Sequence, residues 1–330
     1  MRRSKTHVGG GGGRALADKD GRITTMQTSE PESIINIYRH VCKVEYDHPI
    51  DKGILHQLQH GVLRIDVDVC TVHELQIFKS FFSRFPHLRA LCVARNQAAA
   101  QSAKKSQKNK VYGSVANARI RQSRVNALKK AAQGTLGLVC KLLSTPRHCR
   151  LLSLALPGMH LTDYTASRLE EGLKACNTLR ELDFRGQDLG RSSMAESVLR
   201  AVSASGSLQA VCLKGCRINA RSARYIVHLL RKNNERRDQL TWRGELRSEV
   251  VSKQAVRLQG LLVLDVSDND LRDEGVLELV SVLENDRWVA AVNFEGNGTV
   301  EDTMTEQRLN ECFDINREFS YHRCHCMTHN

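Results

Sequence analysis

LLVLDVSDNDL, residues 261–271, carries the spacing that decides the fold. Counting from Leu261, the apolar residues Leu264, Val266 and Leu271 stand at offsets 3, 5 and 10, with Asn269 at offset 8. Offsets 3 and 5 alternate inward on a short strand, because successive strand side chains point to opposite faces. An amide at offset 8 can satisfy backbone groups where the chain turns off that strand. The same spacing recurs on both sides. Leu151, Leu154, Leu156, Met159 and Leu161 follow it, as do Leu179, Leu182, Phe184, Gln187 and Leu189. Leu208, Val211, Leu213, Cys216 and Ile218 give another copy, and Val289, Val292, Phe294, Asn297 and Thr299 the last. Two weaker copies lie upstream: Val62, Ile65, Val67, Cys70 and Val72, then Leu88, Leu91, Val93, Asn96 and Ala98.

This is the leucine-rich-repeat template. Copies starting at 151, 179 and 208 lie about 28 to 29 residues apart, at the long end of the range, which leaves room for a full helix between strands. Ala166, Leu169 and Leu173 supply the apolar stripe for one such helix. The expected fold class is therefore α/β, a leucine-rich-repeat solenoid of the ribonuclease-inhibitor type, with a parallel sheet on the concave face and helices on the convex face. The expected division is a basic, glycine-rich leader over 1–32, a repeat domain over 33–300 and a short Cys/His-containing tail over 301–330. Two stretches break the period, at about 98–130 and 230–260.

The formal net charge of +13 is regional. No Asp or Glu occurs between Glu74 and Asp163, whereas sixteen Lys and Arg residues do, so the rest of the chain is slightly acidic. The densest part is the first interruption: Lys104, Lys105, Lys108, Lys110, Arg119, Arg121, Arg124, Lys129 and Lys130. It could track phosphates or an acidic protein surface. It could equally be a solvated loop, and with Tyr112 its one aromatic it matches no nucleic-acid module, so nucleic acid is not the expected partner. Scattered cysteines at core-like positions such as Cys70 and Cys216 read as reduced intracellular thiols. The leader lacks the apolar stretch of a secretory signal, and no apolar run is long enough to span a bilayer.

No catalytic residue, cofactor site or metal site is expected. Serine and cysteine stand in no nucleophile motif, and Gly9 to Gly13 lack the spacing of a phosphate-binding loop. The pairs Glu170/Glu171 and Asp268/Asp270 read as helix-surface and turn residues. His322, Cys324, His325, Cys326 and His329 have ligand chemistry but no partner pair elsewhere, and read as a frayed terminus. Protein binding remains, with two candidate surfaces. One is the open strand face, carrying Glu181, Asp183, Arg185, Lys214, Asp265, Asn293 and Glu295. The other is the second interruption, with Arg236, Arg237, Trp242 and Arg247 as contact residues. There the alternative stays open that the tryptophan packs the insertion onto the solenoid while the arginines pair with acids.

GVLRIDVDV followed by IFKSFF, the basic interruption, the irregular insertion with Arg236, Arg237, Trp242, Leu246 and Arg247, and Trp288 before the last strand share one order with a known family. From about Ser33 to Asn297 the chain resembles the repeat domain of the centrosomal protein of seventy-eight kilodaltons family. The resemblance implies a non-enzymatic scaffold in the cytoplasm, at centrioles and ciliary basal bodies, that recruits centrosomal partners and touches ubiquitin-ligase machinery. Members of that family also carry a C-terminal coiled coil, and nothing heptad-like follows Val300 here. Two other readings are a small-GTPase regulator of the Ran GTPase-activating type, whose array ends in an acidic tail unlike this basic one, and a basic adaptor working through Lys104 to Lys130.

Overall fold

The computed structural model describes residues 33–84, 87–95, 115–145, 149–246, 256, 259–297 and 303–318. The strands are β1 (Val62–Asp66), β2 (Ala90–Ala94), β3 (Ser153–Ala155), β4 (Glu181–Asp183), β5 (Ala210–Cys212), β6 (Val263–Asp265) and β7 (Ala291–Asn293). All are parallel and stand side by side in sequence order. Each crossover carries a helix, the arrangement that a parallel sheet requires. α1 (Ile34–His40), running on into a π-helical turn at Val41–Glu45, and α2 (Lys52–Gln59) precede the sheet. α3 (Val72–Ser83), α4 (Val115–Leu143), α5 (Asp163–Ala175), α6 (Ser192–Ala204), α7 (Ala220–Leu246), α8 (Arg272–Leu283) and α9 (Thr303–Glu318) follow β1 to β7 in turn. Neighbouring helices pack on one another along the array. The chain is a leucine-rich-repeat solenoid.

The repeat positions line up as their spacing demands. Leu154, Leu182, Val211, Leu264 and Val292 lie opposite one another from β3 to β7. With Leu156, Phe184, Leu213 and Val266 two residues on, they form the layer between sheet and helices, and all but Val292 are essentially inaccessible. The helices supply the other side, through Ala166, Leu169 and Leu173 of α5, Val198 and Leu199 of α6, and Ile226 and Leu230 of α7. No repeat could bury its own face, so stability is shared between neighbours.

The first copy is read two residues late in the sequence. Val62 pairs with Ala90 and Leu63 with Leu91, so the inward residues of β1 are Leu63 and Ile65, and Val62 is exposed. Ile65 and Val67, the pair read as inward, are both buried, so the slip moves the register by two and leaves the face unchanged.

A second periodic feature was not anticipated. Gly158, Gly186, Gly215 and Gly296 occupy one repeat position, offset 7, with φ between 63° and 73°. Asp268 fills that position in the sixth repeat at φ 54°. The chain must adopt a left-handed turn there to leave the strand, and glycine does so without a Cβ penalty.

The described parts of the interruptions are largely helical. Residues 115–130 form the first half of α4, and 230–246 continue α7 as one unbroken helix. The tail also changes its reading in part: α9 is an ordered helix whose Leu309 and Phe313 join the core, with Asn316 donating to the Val289 carbonyl at 2.8 Å. The chain beyond 318, with the Cys/His cluster, lies outside the described residues, as does the leader over 1–32.

At the N-terminal end Glu45 ties the π-helical turn to α3, accepting hydrogen bonds from Ser80 Oγ and Arg84 Nη2. The Ser80 hydroxyl, and next the Arg84 charge, hold its carboxyl below the usual range against a partial opposing effect of burial. A lowered folded-state value adds stability above the unfolded value and loses it as pH falls through the folded one. Glu45→Gln is expected to cost less than about 1 kcal/mol at neutral pH, the scale of a largely solvated pair. Thermal midpoints of parent and variant should converge on acidification; parallel curves through the carboxylate range would remove this contribution.

Candidate protein-binding surface

The sheet face turned away from the helices carries the even offsets of each repeat. One row runs Arg64, Cys92, Ala155, Asp183, Cys212, Asp265 and Asn293. The sequence places these residues there by the same alternation that sends Leu182 and Phe184 inward. Local geometry then fixes the acidic ones. Asp183 Oδ1 accepts the Arg185 amide at 2.9 Å, Asp265 Oδ1 the Ser267 amide at 3.0 Å, and Asn293 Oδ1 the Glu295 amide at 3.0 Å. Each is an Asx turn closing its strand end, which holds the second carboxylate oxygen of each aspartate at a fixed place.

The basic residues expected on this face pair within it. Arg185 Nε donates to Asp183 Oδ2 at 2.7 Å, and Lys214 Nζ lies 3.1 Å from Asp268 Oδ2. Lys214 is held above its usual range by the Asp268 hydrogen bond and charge. Between them, Cys212 Sγ is 3.6 Å from Asp265 Oδ2. Burial pushes the Cys212 thiol up to about 12, with Asp183 and Asp265 adding to it, so it stays a protonated donor at neutral pH. Glu181, Asp183, Arg185, Lys214, Asp265 and Asn293 are thus brought together on β4 to β7 and the turns after them, a polar face with Asp183 and Asp265 in one row and Arg185 and Lys214 beside it. Such a face suits hydrogen-bonded protein recognition.

The other expected surface comes apart. Arg237 is wholly buried rather than presented to a partner. Its Nε donates to the Gln259 carbonyl at 2.6 Å and its Nη1 to that of Leu261 at 2.9 Å, and the guanidinium lies over the Trp288 ring at 5.3 Å. Burial lowers its pKa to about 10, with the Asp286 charge acting the other way. Arg236, half-buried, turns the opposite way. It donates through Nη2 to the Ser203 carbonyl at 3.0 Å and through Nη1 to that of Ser205, meeting backbone acceptors at the end of α6 that the helix leaves unpaired. The arginines thus fasten the solenoid, by carbonyls more than by acids. Trp242 does not pack: it is 62% exposed, with Leu246 one turn on at 65%. Arg247 lies outside the described residues.

Of the basic interruption, Lys104, Lys105, Lys108 and Lys110 also lie outside the described residues. Arg119, Arg121, Arg124 and Lys129 fall on the α4 backbone without described side chains, and Lys130 is exposed on the same helix.

Sequence reasoning missed the residues that close the convex edge. Asn233 Oδ1 accepts the Leu261 amide at 2.9 Å, and Asp286 Oδ1 accepts those of Trp288 and Val289 at 2.7 and 2.8 Å. The signal was available. Each acceptor serves the offset-0 residue of a repeat, where an incoming backbone amide has no strand partner.

Strand order, face and edge define a leucine-rich-repeat solenoid with an open polar sheet. The family description "Leucine Rich repeat" matches residues 259–280, which include the segment quoted first. The chain is also similar to the protein Cep78 homolog of Drosophila melanogaster, at 22% identity over 164 residues, which cover 49% of this chain and 19% of that protein. No helix among the described residues is long and apolar enough to cross a membrane.

Proposed function

We propose that the chain is a non-enzymatic protein-binding scaffold of the centrosome type, working in the cytoplasm at the centriole or ciliary basal body. The open face of β4 to β7 is its docking surface. The observation that carries this reading is that face itself, a rigid sheet presenting Asp183, Asp265 and Asn293 in one row with Arg185 and Lys214 beside them. Similarity to the Cep78 homolog supports the location. Recruitment of centrosomal proteins and contact with a ubiquitin ligase belong to the same reading, as does a contact role for exposed Trp242 and the basic segment around Lys130.

The test is localisation of the tagged chain beside an Asp183→Lys, Asp265→Lys double variant, with circular dichroism to confirm that both fold. The parent is expected at centrioles. The variant, whose side chains reverse the charge of the row without entering the core, is expected to lose at least about tenfold of the centriolar signal, the consequence of placing like charges against a complementary partner. A parent spread evenly through the cell overturns the location; a folded variant that localises as the parent does overturns the surface.

A further inference from the structure

The convex edge that receives Arg236 also holds two thiols that the docking surface does not use. Cys149 stands just before Leu151, where the third repeat begins, and Cys176 caps the C-terminus of α5 just before Leu179, where the fourth begins. Their sulfurs are 3.6 Å apart, although 27 residues separate them in sequence. Both are free and buried, each 3% exposed. Around them runs a line of small polar groups. Thr178 Oγ1 is 3.5 Å from Cys176 Sγ and donates to the Leu151 carbonyl at 2.9 Å, and Ser207 Oγ donates to the Cys176 carbonyl at 3.2 Å. In the following repeat Ser205 and Ser207 stand where Cys176 and Thr178 do, with hydroxyls 3.3 Å apart in place of the sulfur and hydroxyl.

We propose that Cys149 and Cys176 are an oxidative modification site, a dithiol that hydrogen peroxide converts to a disulfide bridging the third and fourth repeats. Peroxide is small enough to reach sulfurs that a protein partner or glutathione would not. The two sulfurs have different tasks. The Cys149 S–H favours the Cys176 thiolate against the opposing effect of burial, joined by the Thr178 hydroxyl at 3.5 Å and the Thr178 and Leu179 amides, whereas the hydrogen bond to Cys176 and burial keep Cys149 protonated. Cys176 is therefore the sulfur that attacks peroxide. In the first step the Cys176 thiolate takes one peroxide oxygen, the O–O bond breaks, and with a proton one water leaves, giving a sulfenic acid. In the second the Cys149 sulfur attacks that sulfenic sulfur, its S–H proton leaves with the displaced hydroxide as a second water, and the S–S bond forms. Two thiols are oxidised by two electrons and one peroxide is reduced to two waters. The bridge fastens the repeats of β3 and β4, at the border of the docking face, and stiffens their junction.

The experiment treats the full chain, reduced and folded, with increasing peroxide, blocks remaining thiols under denaturing conditions, and maps peptides without reduction. The expected first product is the peptide pair joined through Cys149 and Cys176, lighter by two hydrogens, with a thermal midpoint raised by several degrees that returns on reduction. Cys149→Ser should abolish the pair and leave Cys176 as a sulfenic acid that dimedone captures once the chain is denatured. Should the joined pair appear only after other cysteines have been oxidised, or only once the chain has unfolded, the proposal is overturned. The parent map decides this without any variant having to fold.

Discussion

Arg237→Ala is expected to destabilise the fold by about 3–5 kcal/mol, whereas Trp242→Ala, five residues along the same helix, should change stability by less than about 0.5 kcal/mol. Both side chains read from the sequence as surface anchors, and only burial separates them. Truncating Arg237 opens a cavity beside Trp288, removes the donor to the Gln259 carbonyl and leaves that of Leu261 with the longer bond from Asn233 Nδ2 at 3.4 Å. It also removes the cation facing Asp286, whose carboxyl burial already pushes upward in pKa. Breaking a buried charge arrangement by one partner strands the other in a low-dielectric site, which is why the cost exceeds that of the hydrogen bonds alone. Arg237→Lys keeps the charge but loses the planar fork and should fall between parent and alanine. Urea denaturation followed by circular dichroism measures all three. An alanine variant within about 1 kcal/mol of the parent would mean that the buried guanidinium does not hold the junction.

Asn269→Ala should cost about 2–4 kcal/mol, the penalty of several buried groups left unpaired. Its amide nitrogen donates to the carbonyls of Leu213 at 2.9 Å, Val266 at 2.7 Å and Ser267 at 3.1 Å, while its oxygen accepts the Ile218 amide at 3.0 Å. The first of these crosses to the preceding repeat, and the same crossing recurs along the array. Gln187 donates to the Leu156 carbonyl, Cys216 to that of Phe184 at 3.1 Å and Asn297 to that of Val266 at 2.8 Å. Asn269→Cys, which copies the fifth repeat, should therefore be milder than alanine, since a thiol keeps one weak bond. The measurement is again the denaturation midpoint. Equal loss for cysteine and alanine would show that volume rather than hydrogen bonding sets the cost.

Much of the solenoid was legible because the repeat states the same instruction seven times. Leu261, Leu264 and Val266 announce strand, face and register together, and the strands fall where that spacing puts them. Legibility failed where an instruction appears once. The first copy slips because Leu63, Ile65 and Val67 are three alternate buried aliphatic residues, and either adjacent two of them fit the inward pair of the template. Arg236 and Arg237 sit in a polar, irregular stretch in which an inward arginine and an outward one look alike. Their difference depends on where Gln259 and Leu261 return in space, and no local pattern encodes that. The open face was legible as a face, but its pairing of Lys214 with Asp268 spans two repeats and became visible only with the sheet in register.

The two arginines also bear on how this chain can vary. Both their anchors, the end of α6 and the return at Gln259 to Leu261, lie outside the segment between them. Exposed positions of α7 beyond Arg237, such as Asp238, Gln239, Trp242 and Arg243, can therefore be recoloured in charge while the repeats on either side keep their positions. That makes the stretch around Trp242 the part of the molecule where sequence drift is cheapest for the fold.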